Sequence, residues 1–247
     1  MTKPQCIGID GCPAGWVAAS AAHIVVEAGL AELLAAFAVV PGRDVVAIDI
    51  PIGLAEFGRR ECDVLARQRL GAPRRNSVFW TATRAAIHSP SGGLGLREAQ
   101  ARASTVNTEH GAGGVSAQAF NLFNKIREVD AVLGADRALR QSIVEVHPEL
   151  AFACWNAGST GGLQPMPYAK KSGLGAHDRL ELIFARYGRA AFERARQRHA
   201  PTRLADDDIA DAYACLFSAE RIAADSHVCL PDVPETDALG LPMRICF

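Results

Sequence analysis

The chain has no Cys-x-x-Cys pair, no apolar run long enough to cross a bilayer, and almost no net charge. Its seven cysteines, at positions 6, 12, 62, 154, 215, 229 and 246, are odd in number. An odd count argues against a disulfide scaffold, and the missing Cys-x-x-Cys spacing argues against structural zinc. The expectation is a reducing cytosol, with no disulfide and no zinc. No run reaches the roughly 18 apolar residues of a spanning helix, and Asp10 interrupts the N-terminal region before any signal-like apolar core. A soluble, cytoplasmic protein with no membrane partner is expected. The formal net charge of −1 excludes a uniformly basic, histone-like binder but leaves local patches open. No internal repeat and no low-complexity tract occurs.

What is present is the make-up of an ordinary globular protein. Its 247 residues, 49% hydrophobic and 21% charged, can bury a substantial core as one domain over 1–247 carrying an insertion. Residues 5–10 read as a buried strand and Gly11-Cys12-Pro13-Ala14-Gly15 as a turn. Residues 16–20 and 23–28 then complete a β-meander. Leu30, Leu33, Leu34 and Phe37 stand at helical spacing over 30–40, before the stop at Pro41-Gly42. The β-branched run 44–50 reads as a central strand, and the helical crossover before it implies parallel pairing. Residues 55–140 break the pattern as a mostly helical insertion. It has a basic segment at 67–75, Gly/Ser-rich stretches at 89–95 and 111–116, and a helix over 118–133. The sheet resumes at 142–146. A Gly/Pro-rich loop follows at 158–167, then helices over 177–187, 190–199 and 206–224, and the tail 230–247 reads as a wrapping segment.

Four segments end or turn on acids: Ile7-Gly8-Ile9-Asp10, Val46-Ala47-Ile48-Asp49, Ile143-Val144-Glu145 and Asp206-Asp207-Asp208-Ile209-Ala210-Asp211. Carboxylates on neighbouring strand ends can converge, and at 4 Å each pair repels by about 4 kcal/mol at an intermediate effective dielectric. A proton, a cation or a divalent metal must then hold them together. Magnesium, or manganese in its place, suits such a hard oxygen site. Asp208 and Asp211 stand about one helical turn apart and share a face. Simpler roles exist for each acid. Asp10 before Gly11 can open a turn, Asp206–Asp208 can cap a helix, Glu145 can pair with an arginine, and His147 can bond a loop.

The order β-β-β-α-β-(insertion)-β-α with acids at these places resembles the RNase H-like fold, a mixed five-stranded sheet flanked by helices. The match extends to motifs: Gly8-Ile9-Asp10-Gly11-Cys12-Pro13-Ala14-Gly15-Trp16, Ile48-Asp49-Ile50-Pro51-Ile52-Gly53-Leu54, Pro73-Arg74-Arg75-Asn76-Ser77-Val78-Phe79, the stretch from Gln118 to Asp130, Glu145-Val146-His147-Pro148-Glu149, and Asp207-Asp208-Ile209-Ala210-Asp211-Ala212. These resemble an uncharacterised bacterial and archaeal family labelled as predicted nucleases of RNase H fold. The resemblance implies a two-metal phosphodiester hydrolase. In it Asp10 would bridge, Asp49 would hold one ion, and one or both of Asp208 and Asp211 would hold the other. Glu145 would complete the site and His147 could shuttle a proton.

The insertion adds Arg67, Arg69, Arg74, Arg75, Asn76, Ser77, Phe79 and Arg84, and Lys125 and Arg127 follow. Forked arginines beside an aromatic suit a nucleic-acid groove. Arg74, Arg75, Asn76, Ser77 and Lys125 are the expected substrate contacts. The competing account ties these cations to Glu61, Asp63, Glu128 and Asp130. Two other functions stay open: a phosphotransferase or ATPase of actin and sugar-kinase type, which also places Gly-Ile-Asp-Gly on its first hairpin, and a non-catalytic binding module.

Overall fold

The computed structural model describes residues 3–247, apart from the side chains of Pro73 and Thr160. Three short strands, β1 (Cys6–Cys12), β2 (Gly15–Ala19) and β3 (Ile24–Glu27), form the antiparallel meander. Helix α1 (Leu30–Ala36) buries Leu30, Leu33 and Leu34 and returns the chain to β4 (Val45–Ile48), parallel to β1. The insertion carries α2 (Glu61–Arg74), α3 (Arg84–Ile87), α4 (Leu96–Glu109), α5 (Ala117–Asn121) and α6 (Phe123–Ala135). Strand β5 (Ile143–Glu145) then joins β4 in parallel, giving the five-stranded order β3-β2-β1-β4-β5. The mixed sheet expected from the sequence is therefore present, with helices on both faces.

Strand alternation decides what each face touches. Ile7, Ile9, Val46, Ile48 and Ile143 share one core with Leu30 and Leu33 of α1 and Ile126, Val129 and Leu133 of α6. The opposite face receives the later helices: α7 (Pro148–Ala157), α8 (Gly173–Tyr187), α9 (Ala190–Arg198) and α10 (Asp206–Ala223). There Ala47 and Val146 pack on Cys215 and Ala219 of α10. Gly8, lacking a side chain, lets the α10 backbone settle directly on β1. Further along, Cys6 Sγ lies 3.7 Å from the Ala219 carbonyl. The helix therefore runs antiparallel to β1, with its N-terminal turn beside Asp10.

Several sequence expectations need correction. The helix expected over 118–133 is two helices meeting at Leu122. The basic segment is the C-terminal half of α2, kinked where Gly71 takes φ 61°, a conformation glycine adopts without strain. The tail does more than wrap. It holds β6 (Cys229–Leu230) and β7 (Ile245–Cys246), paired antiparallel, and Cys246 bridges in parallel to Val146. Cys229 and Cys246 form a disulfide, contrary to the all-thiol expectation. The spacing rules missed it because the two cysteines meet only through tail closure, 17 residues apart. One premise for a reducing compartment therefore falls. Among the described residues no helix is long and apolar enough to cross a membrane.

Candidate carboxylate site

The geometry of β1, β4 and α10 brings three acids together. Gly8 and Asp10 lie on the β1 face that meets α10, because they are two residues apart. Ala47 and Asp49 do the same on β4, whose register sets Ala47 beside Gly8. Immediately before Ala212, α10 presents Asp211, and one turn earlier Asp208. Asp10 is not at a strand end as expected: β1 runs on to Cys12, and the Asp10 carboxylate accepts from the Gly11 N–H at 2.7 Å. Asp49 follows β4 directly, its N–H bonded to the Ile9 carbonyl at 3.0 Å.

Burial and mutual repulsion dominate the electrostatics. Burial lifts the Asp10 pKa well above the carboxylate range, and the charges of Asp49, Asp211 and Asp208 lift it further. Asp49 is pushed up to about 8, by burial first and then by Asp211. Burial also raises Asp211, against the pull of Lys170. Asp208, raised by burial, sits at the margin. It accepts from the Ala205 N–H at 2.9 Å, as an acid in the first helical turn often does. Asp206 faces Arg196 at 3.1 Å.

The cation among these acids is one that sequence reasoning missed. Lys170, on the loop before α8, places its Nζ 2.5 Å from Asp211 Oδ2 and 3.8 Å from Asp207 Oδ2. Burial works against its charge, but Asp211, Asp10 and Asp49 outweigh burial and raise its pKa. The donors around it are carboxylate oxygens, the set a hard divalent ion selects. Among the described residues, however, no three of these acids bring ligand oxygens within 4.8 Å of one another. The donor chemistry fits magnesium or manganese, and in this arrangement Lys170 supplies the compensating charge at Asp211.

Glu145 stands at the edge of the group, with its carboxylate committed to an arginine. Its register partner on β4 is Ile48, not Asp49, yet it lines one small cleft with Asp49 and its charge helps raise the Asp49 pKa. There Arg60 grips both oxygens at 2.7 Å, and the Ile52 N–H donates at 2.6 Å. Burial, partly offset by Arg60, holds its pKa at about 7. Asp63 extends this buried network, taking Arg60 at 2.6 Å and the Thr81 N–H at 2.9 Å. His147 is likewise engaged. Its Nδ1 accepts from the Glu149 N–H at 3.2 Å, the ring also bonds the Ser77 backbone, and burial lowers its pKa to about 4. A free proton shuttle is not what that environment makes.

The expected substrate cations divide. Arg74 donates to the Met166 and Pro167 carbonyls at 2.9 and 3.0 Å, fastening the loop that carries Lys170. Arg67 bonds the Val78 carbonyl and Asn76, and Arg84 is held by Asp130 and Asp237. Lys125 bonds the Gly15 carbonyl and covers the Trp16 ring at 4.4 Å, close enough to feel Asp10. Of the pairings to Glu61, Asp63, Glu128 and Asp130 expected from the sequence, Arg84 makes the one to Asp130. Arg75 and Asn76 are exposed and line a cleft of about 440 Å³ on the outer face of α2. Trp80 forms one wall, with the guanidinium groups of Arg59 and Arg67 4.1 and 4.4 Å from its ring centre. Ser77 is half-buried beside His147 rather than in that cleft.

Arg60, Glu149, Arg179 and Trp80 also went unrecognised as parts of this region. Glu149 opens α7 and is clasped by Arg179 at 2.7 and 2.9 Å, both buried, while its charge reaches Asp49 and Asp211. A buried arginine carries no local signal, because its partner lies on another element. Lys170 stands beside Lys171 in a Gly/Pro-rich stretch, and nothing in that spacing marks it.

Fold and site together define an α/β protein with a mixed sheet and buried acids where β1 and β4 meet the start of α10. The chain belongs to DUF429, a family of proteins of unknown function, whose model matches residues 8–236. That span includes Asp10, Asp49, Lys170 and Asp211. No curated protein and no solved structure matches the chain.

Proposed function

We propose that this protein is a magnesium- or manganese-dependent nuclease that hydrolyses phosphodiester bonds. The reading rests on one observation above all. Asp10, Asp49 and Asp211, from three different elements, are all buried; beyond burial, Asp49 and Asp211 raise the pKa of Asp10, and Asp211 raises that of Asp49. A fold does not retain such a group for stability, since each desolvated like-charge pair costs free energy. Asp10, Asp49 and Asp211 would hold the ion or ions, with Asp208 at the margin. Bound there, the metal would polarise a phosphoryl oxygen and acidify a water. Lys170 holds Asp211 in place and balances its charge until a divalent ion takes that role. The cleft offers Arg75 as a phosphate fork, with the Arg59 and Arg67 guanidinium groups stacked on Trp80 as further cations. RNase H-like architecture and a nucleic-acid substrate belong to this same proposal.

The kinase-like alternative needs backbone N–H groups in the first hairpin turn to cradle phosphate. Here the Gly11 N–H is taken by Asp10, the Ala14 N–H by the Arg203 carbonyl at 3.0 Å, and Pro13 has none. That count of committed donors favours the nuclease. The test is cleavage of single-stranded, duplex and branched DNA and RNA with Mg²⁺ or Mn²⁺. Activity that vanishes with chelator and in Asp10→Asn supports the reading. Cleavage unaffected by Asp10→Asn and Asp49→Asn, or none on any substrate with either metal, sinks it.

A further inference from the structure

Far from the acids in character, a second cluster lies in the C-terminal tail. His227 and Cys229 are two residues apart, a spacing that puts both side chains on one side of an extended chain. Cys246 faces Cys229 directly across the β6–β7 ladder. One ring nitrogen of His227 and the two sulfurs all lie within 4.8 Å of one another. Cys246 is 1% exposed and Cys229 9%. The His227 Nδ1 is buried and has no hydrogen-bond partner. A buried polar nitrogen without a partner is uncommon and calls for an explanation. Two soft sulfurs and an imidazole at this spacing provide one, because thiolate and imidazole together select zinc.

We propose that His227, Cys229 and Cys246 form a zinc site when the two cysteines are reduced, and that the disulfide is the metal-free, oxidised form of the same site. Zinc binding takes two deprotonated thiols and one neutral imidazole, and water fills the fourth position. Oxidation by a low-molecular-weight disulfide runs through thiol–disulfide exchange. The two cysteine thiols and RSSR give the Cys229–Cys246 disulfide and two RSH. Two electrons pass from the protein sulfurs to the reagent; from the zinc form, whose thiol protons left when the metal bound, the two released RS⁻ take their protons from water. Zinc leaves because its two sulfur ligands are gone. In both states β6 stays tied to β7, and therefore β7 stays beside Val146, next to Glu145 and His147. No Cys-x-x-Cys pair marks this site in the sequence, because its cysteines come from two strands.

The experiment uses full-length protein, reduced and desalted without oxygen, titrated with Zn²⁺ against a chromogenic chelator and with Co²⁺ by absorption. The expected result is one tight equivalent, with thiolate-to-cobalt charge transfer and the visible bands of a four-coordinate ion. Metal bound by carboxylates gives no thiolate band, so the acidic site cannot imitate this signal. A low-molecular-weight disulfide should release the metal. His227→Ala should weaken binding by about tenfold or more, at the scale of losing part of a metal's support. Cys6→Ser with Cys154→Ser, at partly exposed thiols outside the cluster, should leave it unchanged. In the unsubstituted protein, zinc should protect Cys229 and Cys246 from alkylation, read by peptide mass spectrometry. That readout does not depend on any variant folding. Absence of a thiolate band, or alkylation of both cysteines at the same rate with and without zinc, overturns the proposal.

Discussion

Gly8 on β1 and Ala212 on α10 are pressed backbone to backbone: a Cβ on Gly8 would lie 2.1 Å from the Ala212 carbonyl oxygen and 2.0 Å from the Leu216 nitrogen. This contact seats α10 on the sheet and brings Asp211 toward Asp10. Gly8→Ala should therefore push the helix outward and lose about 1–3 kcal/mol of stability, the usual cost of overpacking. Gly134→Ala in α6, where a Cβ meets nothing within 4 Å, should be neutral or stabilise by up to about 1 kcal/mol. Chemical denaturation of the two variants gives the comparison. Equal stability would mean that the helix shifts freely.

The acids make stability depend on pH with a definite sign. Asp10, Asp49 and Asp211 bind protons more tightly in the fold than in the unfolded chain. Their contribution is complete below about pH 4, the unfolded carboxyl value, and is lost as pH rises through the folded values. For Asp49 that folded value is about 8. Melting temperature in metal-free buffer should therefore fall from about pH 5 to pH 8 with Asp49 as one cause. Asp49→Asn should flatten the slope. A slope unchanged by that substitution would contradict the assignment.

Asp44 behaves in the opposite sense. Its carboxylate is buried and accepts from Arg43, the Val40 N–H and the Gln5 N–H, and Arg43 leads in lowering its pKa to about 2. Its stabilisation is present above the unfolded value of about 4 and is lost as pH falls through about 2. Asp44→Asn should cost about 2 kcal/mol at neutral pH, and the difference from the parent should vanish near pH 2. Urea titrations at the two pH values decide it.

Lys170 and a divalent ion compete for the same negative field. Lys170→Met should lower the melting temperature in metal-free buffer at pH 8. It should also tighten Mg²⁺ binding by about tenfold, since an ion no longer has to replace a nearby positive charge. Calorimetric titration measures this. Weaker Mg²⁺ binding in the variant would show Lys170 assisting the metal rather than standing in for it.

Arg74 and Arg75 are adjacent in sequence and should respond differently. Arg74→Ala cuts the tether to Met166 and Pro167 and should destabilise the Lys170 loop, seen as faster local hydrogen exchange. Arg75→Ala should leave the melting temperature unchanged, weaken nucleic-acid binding, and reduce the salt slope by about one. Trp80→Ala removes the ring that orders the Arg59 and Arg67 guanidinium groups and should weaken nucleic-acid binding through them. Full binding by both variants would remove this cleft from the proposed function.

Much of the architecture was legible because it is local. The alternation in Ile7-Gly8-Ile9-Asp10 and Val46-Ala47-Ile48-Asp49 marks two buried strands with an acid on the face opposite the isoleucines. The apolar stripe of 206–224 marks the last helix to within a residue. Period-two and 3.6-residue patterns depend only on neighbours in the chain, so they survive without knowledge of the fold. Helix breaks at Leu122 and Gly71 were less visible, since each is settled by what the segment packs against.

The sequence by itself determined the order of the sheet elements and the acidic character of Asp10, Asp49 and Asp211. Tertiary structure alone decided which charges meet. The parallel register of β4 and β5 set Glu145 in the grip of Arg60. A loop carried Lys170 to Asp211, and the closing tail set Cys229 beside Cys246. The physical reason is the range of the interactions. Secondary structure follows from bonds and sterics a few residues apart, whereas charges and thiols select partners by distance in space, which only the packed chain defines.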